Sequence, residues 1–399
     1  MAERPSGRAG LGPDTELLRL CGAQVCIHGA MTGMRMAVPL LLLSQNSHQS
    51  MIGVVLALFA LAQVLLLLPA GRFADRHGLK LPITLCVAAS TAGLWLSSLW
   101  PGLLVLCVAA PLCGAAAGVA NLSIQRHLGR AAHSPQEIRR RFSWLAIAPA
   151  SAHFVGPILT GVALDLGGFR VAFALLGALP LVAWLLVRPT REVLDTEHET
   201  RERRPAWELL QGPMVRRLLF MNWLMSMSWD LHAFLVPVLG HERDLPASVI
   251  GTIVGSFAVG AALVRLAMPV LGSRLREWVL ITGACGTTAA LLAVYPFAHS
   301  ALAMGACSLL LGMAHGSVQP MVTTMLHHVT PRHRHGEAIA MRLVTVNASM
   351  VAVPPLLGLV SASLGVSVMF WGLGTLLGLC APMGARLRDA GSGEGGHGP

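Results

Sequence analysis

The sequence predicts an all-α membrane protein of twelve transmembrane helices, arranged as two six-helix bundles related by an internal repeat. Three observations carry this. Of 399 residues, 54% are hydrophobic and only 12% charged, and the mean hydropathy is +0.64; a soluble domain carries about 25% charged residues. The charges cluster in breaks between apolar runs of the roughly 20 residues needed to cross a bilayer as a helix. The second half of the chain also slides onto the first at one fixed offset, 198 residues, which lays Pro39 on Pro237.

The first six spans lie near 17–43, 50–70, 81–99, 102–126, 142–164 and 170–188. The second six lie near 216–239, 248–270, 278–296, 300–327, 338–361 and 364–385. A tail, 1–16, precedes the first span, which is too long and lacks the small-residue cleavage site expected of a signal peptide. Ser50 and Ser248 stand where N-caps of the second and eighth spans belong, and Pro101 with Gly102 turns the chain between the third and fourth. The long charged segment 189–215, "PTREVLDTEHETRERRPAWELLQGPMV", separates the two sets of six, and 386–399 forms a second tail.

Orientation follows from Lys and Arg. Of the 29, 25 fall on the side that holds both tails and the linker, two (Arg170 and Arg243) on the other side, and two (Arg35 and Arg265) within spans. The positive-inside rule then puts both termini in the cytoplasm. The net charge of +10 is thus topological and implies no nucleic-acid partner. The eight cysteines fall in or at the rim of apolar runs, as small core hydrophobes rather than a disulfide framework. An Ala, Leu and Gly-rich composition with little Lys suits a GC-rich bacterial source and the inner membrane.

The offset holds across several spans. "SMIG" at 50–53 meets "SVIG" at 248–251, and Phe59-Ala60 meets Phe257-Ala258. Arg76 meets Arg274, Gly114 and Gly118 meet Gly312 and Gly316, and Pro157 meets Pro355. Apolar residues match by chance; Pro, Gly and Arg in one register do so rarely. A duplicated unit with parallel repeats is an architecture of alternating-access carriers, with the substrate site near the midplane between the halves.

Between the second and third spans, "GRFADRHGLK" resembles the signature loop of the major facilitator superfamily, Gly-x-x-x-Asp-Arg-x-Gly-Arg-Lys/Arg. Gly71, Asp75, Arg76, Gly78 and Lys80 match, and Leu79 replaces an Arg. The resemblance implies a conformational latch. Gly71 and Gly78 would permit a sharp reversal, while Asp75 would meet the positive end of a helix of the other half near Gly336. "AHFVGPILTG", 152–161, resembles the fifth-helix motif of drug–proton antiporters through Gly156, Pro157 and Gly161, which implies export. The fourth-helix antiporter motif keeps Gly114 but has Ala110 where an Arg is expected.

Ionisable groups inside a bilayer are costly and mark pathways. On the first span Gln24, His28 and Arg35 fall at about 0°, 40° and 20°, one stripe. "SMSWDLHAF" supplies Asp230 and His232, about 200° apart. Asp230 is expected to approach Arg35 across the halves and to couple protons. His315 and Gln319, four apart on the tenth span, mirror Ala117 and Asn121 on the fourth; such pairs bind substrate or join helices. His153 lies inside the fifth-helix motif, and Arg265 stands late in its span, where it can snorkel to the cytoplasm.

The sequence therefore reads as a monomeric, proton-coupled secondary transporter of small organic compounds, acting as an exporter and needing no cofactor, metal or catalytic residue. Alternatives are an uptake or exchange carrier for an organic anion, and a transporter-like sensor or membrane enzyme. The four histidines of "HHVTPRHRHGEA", 327–338, fit no standard zinc spacing, and no phosphate-cradling loop is present.

Overall fold

The computed structural model describes residues 13–131, 134–190, 192, 206–271, 276–330 and 334–385. Among them there are eleven α-helices and two short 3-10 turns, and no strand. They are α1 (Pro13–Ser44), α2 (Gln49–His77), α3 (Lys80–Leu99), α4 (Leu103–Arg130), α5 (Pro135–Val187), α6 (Pro213–Glu242), α7 (Ala247–Leu271), α8 (Glu277–Val294), α9 (Ala301–Val329), α10 (His335–Leu364) and α11 (Val366–Ala385). Ten of the eleven contain a stretch long and apolar enough to cross a bilayer. The exception is α6, whose interior carries Asp230 and His232. One helix, α5, is two passes. Its 53 residues break at Gly168 (φ 70°, ψ −171°), a conformation open to glycine and strained for other residues. Counting α5 twice and α6 with the rest, the described residues hold twelve helical passes.

Hydrogen bonds between helix ends define two faces of the bundle. At the end where α1 begins and α11 closes, here the terminal end, His127 at the close of α4 meets Glu16 at the start of α1 (3.0 Å). At the opposite, far end, Gln45 after α1 donates to the Pro101 carbonyl (2.8 Å), and Ser98 donates to the Arg170 carbonyl (2.8 Å). Arg243, also at the far end, donates to the carbonyls of Pro296 and Ala298.

The repeat appears as repeated contacts. A Cβ on Gly114 of α4 would collide with the Phe59 carbonyl of α2, and one on Gly312 of α9 with the Phe257 carbonyl of α7. The same pairing thus closes each half. Between halves, Gly53 of α2 abuts Pro354 of α10, and Gly251 of α7 abuts the Pro157 carbonyl of α5. These approaches sit in the far-end portions of their helices. There α2 is largely buried from Ile52 to Ala60, whereas Leu61, Val64, Leu65 and Leu66 beyond are exposed. The close glycine contacts between the halves thus lie toward the far end among the described residues.

Local expectations needed three corrections. Helix α2 continues through Gly71 and Asp75 to His77, so the reversal occurs at Gly78 (φ 73°) alone. The helices expected to be capped by Ser50 and Ser248 begin one residue earlier, at Gln49 and Ala247. Ser248 is instead held from outside: Asp165, at the close of the first pass of α5, accepts from the backbone N–H groups of Ala247 and Ser248, each at 2.9 Å. All eight cysteines are free thiols.

Candidate substrate and proton pathway

The central charged pair joins α1 to α6, and so one half to the other. Arg35 Nη2 lies 3.9 Å from Asp230 Oδ1. This is ion-pair range, longer than a direct hydrogen bond. The second carboxylate oxygen, Oδ2, accepts from Ser349 Oγ of α10 at 3.0 Å. Side-chain exposure is 2% for Asp230 and 12% for Arg35, so each needs the other's charge to offset desolvation.

Beside the pair is a cavity of about 290 Å³ bordered by α1, α2, α5, α6, α7, α9 and α10. Its lining runs from the helix midpoints toward the terminal end, where Arg265 Nη2 donates to Gln319 Oε1 at 3.3 Å and Gln319 is exposed. Arg35, His153 and Trp229 also border a smaller chamber of about 50 Å³ reaching Thr32 and His232. Trp229 stands edge-to-face with Phe257 (4.7 Å) and His153 (5.4 Å), and His153 edge-on to His28 (5.3 Å). Two buried atoms of the lining residues, His28 Nδ1 and Asn222 Nδ2, have no hydrogen-bond partner among the described residues. A ligand or water would satisfy them.

The other residues singled out in the sequence divide by location. Gln24 donates to Asn121 (3.3 Å), as does Gln125 (3.1 Å), which ties α1 to α4 within one half and away from the cavity lining. His315 borders the cavity, yet its ring nitrogens are engaged: Nδ1 with the Leu311 carbonyl (2.8 Å), Nε2 with Ser228 Oγ (2.6 Å) and the Met225 carbonyl (3.1 Å). His232 Nε2 meets Ser308 Oγ (2.8 Å), which meets the Tyr295 hydroxyl (2.8 Å). This joins α6, α9 and the turn after α8.

In the fifth-helix motif, Gly156 lets α5 close on Gly29 and Thr32 of α1, while Pro157 and Gly161 face Gly251 and Ala247 of α7. Of the latch residues, Gly78 ends α2, Arg76 is exposed, and the Lys80 backbone N–H donates to Glu192 (3.0 Å). The surroundings of Gly71, the Asp75 side chain and Gly336, where its partner was expected, lie outside the described residues.

Sequence reasoning left out several cavity groups. Trp229, Asn222 and Ser349 carried no signal, since Trp, Asn and Ser occur in any span. Arg265 did carry one, but snorkelling explained it equally well; the bond to Gln319 turns it to the cavity. Asp165 was legible as a lone acid ending an apolar run before Gly167-Gly168.

The family model described as Major Facilitator Superfamily matches residues 20–216 and 218–395. No curated protein matches the sequence. Among solved structures, a bacterial homolog of the human lysosomal transporter Spinster, inward-facing and unoccupied, superposes with a TM-score of 0.74 at 16% identity, covering 96% of this chain and 92% of that one. The nucleoside transporter NupG does so with a TM-score of 0.74 at 13% identity, over 92% of this chain and 98% of that one. A POT family transporter in complex with a thioalcohol-conjugated peptide gives 0.74 at 13% identity, over 94% and 96%. These likenesses establish the fold.

Proposed function

Since the chain belongs to the Major Facilitator Superfamily, we propose that it is a monomeric, proton-coupled secondary carrier that moves a small organic compound across a bacterial inner membrane by alternating access. The observation that carries this reading is the Arg35–Asp230 pair, 3.9 Å apart, buried, and formed by one residue from each half. A proton on Asp230 removes the attraction between the halves at that point, which gives proton binding a differential effect on two arrangements of the bundles. With both termini cytoplasmic, the far end held by the inter-half contacts is the outer one, and this conformation faces inward.

Export is supported by the fifth-helix motif, whose Pro157 and Gly161 pack the outer closure. The opposite direction, uptake or exchange of an organic anion, is supported by the charge of the cavity: two guanidiniums, Arg35 and Arg265, border it with one carboxylate, Asp230. The test is a reconstituted proteoliposome containing a pH-sensitive dye, challenged with a panel of small acids, amides and amines. Wild-type protein should move protons with at least one of them, and Asp230→Asn should remove the proton flux. Proton flux that survives Asp230→Asn refutes the assigned role. Right-side-out and inside-out vesicles give the direction.

A further inference from the structure

We propose that the substrate is a compact organic anion with an apolar body, and that it shares the cavity with the coupling proton: the anion on Arg35 and Arg265, the proton on Asp230. This rests on the carrier reading above and names its substrate class and the sign of its coupling.

The charge of the lining is the first argument. Among the arginines and acids of the lining, two guanidiniums stand against one carboxylate, an excess of one positive charge. The carboxylate is already matched on both oxygens, by Arg35 and by Ser349. A cationic substrate would meet no unmatched acid in this lining and would lie beside Arg265. Hydrogen-bonding capacity points the same way. Arg265 has five N–H donors and one bond recorded among the described residues, at 3.3 Å to Gln319; the Asn222 Nδ2 donor is buried with none. A donor-rich pocket suits an acceptor-rich ligand.

The remaining wall is Trp229 with Met31, Met225, Met350 and Val318, which suits an apolar or aromatic body. The volume, about 290 Å³, equals roughly ten waters at ~30 Å³ each. That is room for a small organic ion.

The sign of coupling follows from Arg35. While Asp230 is ionised, an incoming anion must compete with it for Arg35 and is repelled by it. Once Oδ1 takes a proton, the Ser349 bond to Oδ2 can persist and Arg35 is free for the anion. Proton and anion then strengthen each other's binding, as linkage requires. A cation would instead displace the proton. The charged and titratable groups around Asp230 are Arg35 and His28 from α1, His153 from α5, Arg265 from α7 and His315 from α9. Helix α10 brings Ser349 and, two turns toward the terminal end, Arg342. A test must therefore separate Asp230 from three histidines.

Three probes of one shape and different charge do this: phenylacetate, phenylacetamide and phenethylamine, titrated onto the full-length protein in nanodiscs with tryptophan fluorescence and thermal shift as readouts. Phenylacetate should bind best, tightening by up to about tenfold per pH unit of acidification, with about one proton taken up per anion bound. Asp230→Asn should keep phenylacetate binding and lose its pH dependence, since the histidines remain. Arg265→Gln should weaken phenylacetate about tenfold, roughly one charged hydrogen bond, and Arg265→Lys should restore part of it. Binding of none of the probes, preference for phenethylamine, or pH dependence that survives Asp230→Asn overturns the proposal. Hydrogen–deuterium exchange at the two ends judges the carrier reading separately. A protein that cycles but prefers the amine loses only the anion, whereas one that never exposes its far end is no alternating-access carrier.

Discussion

The contact between Asp165 and the N-terminus of α7 gives a quantitative test of what holds the far end shut. Each carboxylate oxygen accepts one backbone N–H, from Ala247 and Ser248, at 2.9 Å. The first turn of a helix has unpaired N–H groups and a partial positive charge, so an anion there is favourable. Asp165 lies on α5 of one half and α7 belongs to the other, so the two bonds exist only while the far end is closed. Losing a side-chain cap costs about 1 kcal/mol, and the charge–dipole part at an exposed site adds ~0.3–1 kcal/mol. Asp165 is exposed, so the lower value, about 1 kcal/mol, is the appropriate one. It corresponds to about a fivefold change in the ratio of closed to open far ends.

Hydrogen–deuterium exchange of the full-length protein in nanodiscs reads that ratio. Asp165→Ala should raise exchange about fivefold in far-end peptides of α5 and α7, and also around Gly53 and Gly358, where α2 and α10 meet. Peptides from the terminal end should become more protected. Asp165→Asn keeps one acceptor oxygen and should fall between. If faster exchange is confined to the first turn of α7, the carboxylate is a local cap with no hold on the gate.

Other substitutions separate closure, pairing and packing. Gly251→Val places side-chain atoms where the Pro157 carbonyl lies and should hold the far end open, seen as exchange faster than in Asp165→Ala. Arg35→Gln leaves Asp230 buried beside Ser349 alone; it should lower stability by about 1–3 kcal/mol, and adding Asp230→Asn should recover much of the thermal midpoint. Tyr295→Phe removes one hydroxyl from the His232–Ser308–Tyr295 chain and should cost about 1 kcal/mol with transport unchanged, whereas a fall in transport would move His232 from packing into the pathway. Gly114→Ala and Gly312→Ala make the same backbone clash in the two halves and should each cost about 1–3 kcal/mol in thermal unfolding.

The elements most legible in the sequence were those whose physics is local or periodic. Apolar runs marked the spans because a bilayer imposes a length, and the 198-residue offset anticipated that Gly114 and Gly312 would meet equivalent backbones. Asp230 and Arg35 stood out because charge is rare at such depth. Long-range partners were not legible. Gln24, on the same stripe as Arg35, turned to Asn121, since a helical angle fixes a direction but not which neighbour waits there. Of the two glycines expected to permit the reversal, Gly78 makes it, while the helix continues through Gly71 to His77, because a glycine only permits a turn. Chemistry of the kind expected of Asp75, an anion on a helix end of the opposite half, is seen at the far end in Asp165.

That placement bears on how the halves can move. The tight inter-half approaches, Gly53 with Pro354 and Gly251 with Pro157, lie on α2–α10 and α5–α7 in their far-end portions. Arg35 and Asp230 lie on α1 and α6, which run through the middle of the assembly beside the cavity. On the carrier reading proposed above, opening the far end would part these glycine contacts with the helices left intact, while the charged pair on α1 and α6 would respond to small changes in its separation. An interaction across 3.9 Å in a poorly hydrated site is sensitive to small displacements and to a single proton. On that reading the glycines would be the mechanical contact and the charged pair the chemical one, and they sit on different helices. A substitution at Gly251 should consequently shift the balance of conformations at every pH, whereas one at Asp230 should remove the dependence of that balance on pH. If Gly251→Val abolished the pH dependence while Asp230→Asn preserved it, the division of roles would be refuted.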